Sequence, residues 1–318
     1  MLKRADLHLH TRFSHWKHLK LIKPRDSYSD PLAAFERARA VGMDFVAITD
    51  HDTIEGALDL LSRRPELEPS VIIGEEVETW FPGTGQWVHV NVFGVDEPIH
   101  DDLTRVRRSI FELSSYLRST GLFHVLNHPF QSYRLQSPPM RYIEDLLELF
   151  DHFEVDNCTL PQRHNKAVAE MLDYATALYV RKIGVGGSDA HTLGPIGLCH
   201  TEAPVEADGG KQAWLEAVAR GEGRAVGRTI GPLGLAANVY RIIAQYYLSL
   251  RDPETRRHMR AENYLAAAAL APACAAGLPA FLSLGSNLKL EAVSLLVRQS
   301  LRKSRRRESL DFLQDPEA

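Results

Sequence analysis

The apolar residues in the first two-thirds of the chain fall into short runs, and each run ends in a histidine or a carboxylate. The earliest is Asp-Leu-His-Leu-His at 6–10. Side chains alternate between faces along a strand, so His8 and His10 are expected on one face with Leu7 and Leu9 on the other. Asp30-Pro31 reads as an N-cap with proline at the first helical position, and the spacing of Ala33, Phe35, Ala38 and Val41 predicts a helix as far as Gly42. Residues 44–51, Asp-Phe-Val-Ala-Ile-Thr-Asp-His, resemble a strand of a buried parallel sheet. The pattern continues with a helix over 53–63, strands over 70–78 and 86–95, and one helix over 101–119 that stops at Gly121. Leu122 to Leu126 lead into Asn127-His128-Pro129, a helix over 141–150 leads into Phe153 to Asp156, and a helix over 164–178 leads into Ile183 to His191.

Strands alternating with helices imply parallel pairing, and such sheets place their chemistry at the carboxyl ends of the strands. About seven strands by residue 190 suggest a barrel of β/α units, with an open twisted sheet as the alternative. One more helix is expected near 210–220. From 232 the composition turns to Leu, Ala, Tyr and Arg at helical spacing, which puts a boundary near 229 and divides the chain into 1–228 and a helical extension, 229–318. Residues 263–288 are 26 positions without a charge, long enough to cross a bilayer. Alanine dominates this run, Pro272 and Pro279 interrupt it, and it carries Asn263, Ser283, Ser286 and Asn287. A buried helical hairpin is therefore favoured over a membrane-associated segment. The Arg302-Lys-Ser-Arg-Arg-Arg307 run reads as a solvated tail or as a contact for anionic lipid.

Composition narrows the function. The 318 residues carry a formal charge of −4, which argues against nucleic-acid binding by bulk charge. Cys158, Cys199 and Cys274 form no C-x-x-C pair, against both a disulfide framework and a zinc ribbon. With no apolar signal core after Met-Leu-Lys-Arg, a cytoplasmic protein is expected. Of 14 histidines, 13 lie at or before His200, so their chemistry belongs to the N-terminal two-thirds.

One His-x-His is as readily two surface histidines as half a metal site. The case rests on the set His8, His10, His51, Glu76, His89, His128, Asp189 and His191. Imidazole and carboxylate without thiolate suit Zn²⁺, Mn²⁺ or Fe²⁺ better than Ca²⁺. Eight donors exceed the needs of one tetrahedral ion, which implies two or three divalent ions sharing a bridging carboxylate.

These residues also match a known family. Asp-Leu-His-Leu-His-Thr at the start, Ile-Thr-Asp-His at 48–51, Gly-Glu-Glu at 74–76, the His89 of Val-His-Val, Asn-His-Pro at 127–129 and Gly-Gly-Ser-Asp-Ala-His at 186–191 occur in family order. Over about residues 5 to 228 the chain resembles the PHP (polymerase and histidinol phosphatase) superfamily of metal-dependent phosphoesterases. The resemblance implies a distorted (β/α)7 barrel of PHP type, here with a C-terminal helical extension, and a trinuclear site. By the same resemblance His8, His10, Glu76 and Asp189 hold one ion, and Glu76 bridges to a second held by His89 and His128. A third takes His51, His191 and a residue from the loop after His10. Many members have Ser-Asp-Gly there, whereas this chain has Ser14-His15-Trp16; His15 is assigned, with His18 as its rival. Gly-x-Glu spacing favours Glu76 over Glu75.

Asp50 is expected to orient a ligand, and Asp6 to be structural. Glu154, Asp156 and Asn157 end a strand near the site, where local hydrogen bonding and function are equally open readings. Cys158 is a weaker ligand candidate. His100, His124, His152, His164, His200 and His258 read as ordinary surface or core histidines. Clustered divalent ions generate hydroxide from bound water at neutral pH, and the sequence has neither a Gly-x-Ser-x-Gly elbow nor a phosphate-cradling P-loop. Arg12, Lys17 and Lys20 of the basic loop are the candidate contacts for a substrate phosphate, and Arg163 is a weaker one. The reading is hydrolysis of a small phosphorylated substrate, a phosphomonoester or short phosphodiester, by a metal-bound hydroxide, with His8, His10, Glu76, Asp189 and His191 at its centre. The alternatives are a metal-dependent hydrolase of a non-phosphate bond, resembling an amidohydrolase, and a non-catalytic metal-binding module that docks through its helical tail.

Overall fold

A computed structural model describes residues 1–15, 25–134, 138–178, 180–206, 209–253 and 260–314, with side chains through 307. Nine strands form one mixed sheet: β1 (Leu2–Asp6), β2 (Phe45–Ile48), β3 (Val71–Trp80), β4 (Trp87–Phe93), β5 (His124–Asn127), β6 (His152–Asn157), β7 (Ile183–Gly187), β8 (Cys199–Pro204) and β9 (Arg224–Gly227). Their spatial order is β7-β6-β5-β4-β3-β2-β1-β8-β9. The described helices are α1 (Pro31–Ala40), α2 (Glu55–Arg63), α3 (Glu97–Val106), α4 (Ile110–Thr120), α5 (Pro139–Leu149), α6 (Gln162–Ala177), α7 (Lys211–Ala219), α8 (Gly231–Ser249), α9 (Ala261–Ala275) and α10 (Leu278–Gln314).

Local chemistry sets several boundaries. The Asp30 carboxylate accepts from the Leu32 and Ala33 N–H groups and starts α1, as its N-cap position requires. The single helix expected over 101–119 is two. The chain breaks at 107–109, so Arg107 can reach Asp52 at 2.6 Å while α4 turns Ile110, Leu113 and Leu117 into the core. Gly121 ends α4 in the left-handed region, φ 68°.

The sheet is not built wholly of parallel β/α units. β4 pairs antiparallel with both β3 and β5, while β1-β2-β3 and β5-β6-β7 are parallel. The Pro-Gly-Thr-Gly turn at 82–85 has Gly83 and Gly85 at φ 76° and 66°. A link so short cannot make the crossover that a parallel neighbour needs. The strands β8 and β9, which periodicity did not suggest, extend the other edge of the sheet antiparallel to β1 and to each other.

The β7 edge closes back on the residues that follow β1. The Asp189 N–H donates to His8 O at 2.8 Å and the His10 N–H to Ala190 O at 3.0 Å. The buried Asp6 carboxylate accepts from Ser188 N at 2.8 Å and Gly197 N at 2.9 Å. The sheet is thus nearly closed, with the start of the chain laid against the end of β7. Because β1 ends at Asp6, strict alternation does not continue through His10. Leu7 packs in a cluster with Phe45, Val185 and Trp214, whereas Leu9 packs beneath α1 and α2 with Phe35, Ile48 and Leu60.

The extension α8–α10 touches the rest of the chain. Leu290, Val293, Val297 and Leu301 of α10 join the largest apolar cluster, and Arg298 pairs with Glu170 of α6 at 2.6 Å. Residues 263–288 do form a helical hairpin, turning at Gly277 with φ 98°. It is not buried. Leu265, Phe281, Leu282 and Leu288 are largely exposed, because the helices pack on the barrel through a different face.

Candidate metal centre

The strand ends place the charged and imidazole side chains together at the closed rim. His8 and His10 follow β1, His51 follows β2, Glu76 lies within β3, His128 follows β5, and Asp189 and His191 follow β7. His89 is near the start of β4. Since that strand runs backwards, its start reaches the rim that the other strands reach with their ends. The backbone is strained at two of these positions: His128 has φ 27° and Asp189 φ 52°, values that non-glycine residues keep only when the surroundings hold them.

Glu76 is the centre of the arrangement. Its Oε1 lies 3.2 Å from His8 Nε2 and 3.1 Å from both His89 Nδ1 and His128 Nε2. Its Oε2 lies 2.9 Å from His51 Nδ1 and 3.4 Å from His10 Nε2. One buried carboxylate therefore separates two groups of imidazoles. The Asp189 Oδ1 stands 3.4 Å from His10 Nε2 and 3.6 Å from His8 Nε2. Glu75, next in sequence, accepts from His100 Nδ1 at 2.9 Å instead, because adjacent strand residues face opposite ways.

These donors fit a divalent cation. His8 Nε2 and His10 Nε2 face each other at 3.1 Å, and Glu76 Oε2 is buried without a hydrogen-bond partner; a cation between them satisfies all three. Among the described residues four sets of donor atoms lie close enough to hold one ion: His10-Asp26-His51-His191, His8-His10-Glu76, His8-His128-Glu154 and His51-Glu76-His89. Charge is strongly coupled here. Burial opposes ionisation of Glu76, yet His89, His8 and His51 hold its carboxyl well below the ordinary carboxylate range. Burial likewise opposes ionisation of Asp189, and His8 and His10 bring its carboxyl down. Burial, with His191 and His51 adding to it, lowers His10 to about 3. Burial works against the charged form of His89 too, but Glu76 raises it to about 10.

The structure adds two residues that sequence reasoning did not select. Asp26 Oδ2 lies 3.2 Å from His51 Nε2, within the donor set that includes His10 and His191. His15 is exposed and forms a bridge with Arg25; it is not in any of the donor sets. Asp26 stands 16 positions after His10 with no strand or helix pattern linking the two, so periodicity could not mark it. His18, Lys17 and Lys20 lie outside the described residues.

The second is Glu154. Its Oε1 accepts from His8 Nδ1 at 2.8 Å, and its Oε2 accepts from His128 N at 3.2 Å and Asn157 Nδ2 at 2.9 Å. With three donors on its two oxygens, Glu154 orients His8, and the same carboxylate also stands in the His8-His128-Glu154 donor set. A register shift between Glu154 and Asp156 in β6 re-aims the side chain. Gly187 makes room for it: a Cβ there would lie 2.5 Å from His8 Cβ and 2.9 Å from Glu154 Oε1.

Other predicted contacts lie elsewhere. The Asp50 carboxylate accepts from the Thr11 N–H at 2.5 Å and the Thr11 hydroxyl at 2.7 Å, so it fixes the backbone after His10 and touches no ligand directly; burial raises it to about 7. Arg12 is drawn to Asp30 at 3.6 Å and Asp59 at 3.7 Å. Arg163 pairs with Glu291. Cys158 donates to Ser188 O at 2.9 Å and joins no donor set. Asn238 of α8 accepts from the Thr192 hydroxyl at 2.8 Å, which ties the extension to the residue after His191.

No protein-family model matches the chain. Over 76 residues it is 37% identical to an uncharacterized protein of Methanocaldococcus jannaschii, covering 24% of this chain and 44% of that one, so the match spans less than half the relative's length. Among solved structures, the chain is similar to a Bifidobacterium adolescentis protein named as a candidate metal-dependent phosphoesterase, with 18% identity, TM-score 0.47, and 68% of this chain and 96% of that one covered. It is also similar to an amidohydrolase from Chromobacterium violaceum, with 15% identity, TM-score 0.46, and 76% and 96% covered.

Proposed function

We propose that this protein is a metal-dependent phosphoesterase that hydrolyses a phosphomonoester or short phosphodiester. The observation that carries the reading is the position of Glu76, one buried carboxylate with imidazoles on both of its oxygens, as a bridge between ions requires. His8, His10, Glu76 and Asp189 would hold one ion. His89 and His128 would hold a second through Glu76, and His51, His191 and Asp26 would complete a third. Zinc, manganese and iron all suit this donor set. Bound ions of this kind lower the pKa of water and polarise phosphoryl oxygens.

The protein's own part is to position. Glu154 accepts the Nδ1 proton of His8 and so directs Nε2 toward Glu76 and Asp189. The Ser14 hydroxyl lies 3.2 Å from His10 Nδ1 and accepts from the His51 N–H at the same distance, fixing two rings together. His8, His10 and Glu76 are nearly inaccessible, while His51, His89 and His191 retain side-chain exposure of 19, 11 and 25%. Substrate therefore approaches from the side of His51, His89 and His191. The phosphate-ester assignment draws on the six motifs and their order.

The test is hydrolysis of p-nitrophenyl phosphate and a panel of nucleotides and sugar phosphates by protein of measured metal content. Phosphate release that stops on chelation and returns with Zn²⁺ or Mn²⁺ supports the reading. A metal-dependent amidase with no phosphate release across that panel replaces it.

A further inference from the structure

The helical extension leaves an apolar surface that no other described residues cover. Along α10, Phe281, Leu288 and Leu295 are 73, 72 and 42% exposed, and the Arg302 side chain is 70% exposed. These four residues recur every seven positions. A helix drifts by only ~20° per heptad, so they lie within ~60° of one another around the axis. Over 281–302 one helix face thus passes from apolar to basic. The neighbouring α9 adds exposed Leu265, and the link between α9 and α10 carries no charge at all.

We propose that this face docks side-on to an anionic lipid surface. From residue 276 to the end the chain has seven basic residues, Lys289, Arg298, Arg302, Lys303, Arg305, Arg306 and Arg307, and five acidic ones, Glu291, Glu308, Asp311, Asp315 and Glu317, so the positive charge is grouped at 298–307 and followed by acidic positions. Glu291 is already paired with Arg163, and Arg298 and Arg302 lie 2.6 and 3.5 Å from Glu170. Arg302, Lys303, Arg306 and Arg307 are exposed beyond the apolar stretch. An anionic bilayer answers both parts of the face, apolar side chains entering the acyl boundary and cations meeting headgroups. A second copy answers only one. In a two-fold pair the apolar residues can cover each other, but the basic residues of 298–307 then meet each other or lie over apolar residues, and within 276–307 the one acidic residue, Glu291, is already paired with Arg163.

Docking, not spanning, is the geometry the packing allows. The segment Leu278–Arg307 is long and apolar enough to cross a membrane, and 22% of its most apolar 18-residue window is buried. Yet Leu290, Val293, Val297 and Leu301 are packed into the main cluster. A helix held to the barrel along one face cannot be surrounded by lipid.

The full chain should be sedimented with phosphatidylglycerol vesicles and, separately, with phosphatidylcholine vesicles. Partition at least ~10-fold stronger to phosphatidylglycerol is expected, since each basic residue at such a surface contributes ~1 kcal/mol. Phe281→Asp with Leu288→Asp should abolish it, and Lys303→Glu with Arg306→Glu should remove the preference for anionic lipid, with circular dichroism and melting temperature unchanged. Equal partition to both vesicles, or no sedimentation of the wild-type chain with either, overturns the proposal. So does a dimer in light scattering that Phe281→Asp with Leu288→Asp disperses.

Discussion

His8 Nδ1 and Glu154 Oε1 meet at 2.8 Å, in a place where both side chains are almost inaccessible to solvent. A carboxylate only accepts, so a proton sits on Nδ1, and Nε2 is the nitrogen turned toward Glu76 and Asp189 and left to bind an ion. Glu154→Gln keeps the shape but turns an amide N–H toward one of three existing donors. Metal affinity should fall by ~10–100-fold, and excess metal should restore activity while Glu154→Asp retains part of it. Equal metal retention in wild type and Glu154→Gln after dialysis against a chelator would show that the contact does not orient His8.

Asp26 and His15 can be separated in the same assay. Asp26→Ala should lower bound metal by about one ion per chain, because the set His10-Asp26-His51-His191 loses its only carboxylate. His15→Ala should leave the stoichiometry unchanged, since His15 is exposed and in none of the donor sets. The opposite result would place the ligand where the sequence alone suggested.

The closeness of β7 to His8 can be probed at Gly187. A methyl group there meets His8 Cβ and Glu154 Oε1 at distances below van der Waals contact. Gly187→Ala should cost ~1–3 kcal/mol in denaturant unfolding and lower metal retention together with it. A stable variant with full metal content would mean that the rim relaxes freely.

Acid sensitivity has a contribution from a buried ring that belongs to none of the donor sets. His164 is fully buried on α6 beside Phe130, and burial, opposed by Asn165 and reinforced by the nearby His128 ring, lowers it to about 3. The folded chain keeps this ring neutral where the unfolded chain, near 6.5, takes up a proton. The stability is complete above pH 6.5 and is lost as pH falls from 6.5 toward 3, at ~1.4 kcal/mol per pH unit. In metal-free protein, His164→Leu should flatten that part of the unfolding free-energy profile. Identical slopes for the two proteins would refute the assignment.

The sequence by itself determined which residue types stand at the ends of the strands. Short apolar runs closed by His51, His128 or Asp189 are local patterns, and local patterns survive without knowledge of the fold. The same reasoning put a strand at 86–95 but gave no direction for it, because direction depends on how the 82–85 turn lets β4 pair with β3. Only the tertiary structure decided that His89 enters the rim from the start of its strand, that Asp26 rather than His15 joins His51, and that Glu154 turns toward His8. Each depends on contacts between residues far apart in the chain, through loop length, a register shift in β6 and the absence of a side chain at Gly187. The hairpin at 263–288 shows the same division: its apolar character was legible, but which face the barrel would cover was set by the packing of Leu290, Val293 and Val297.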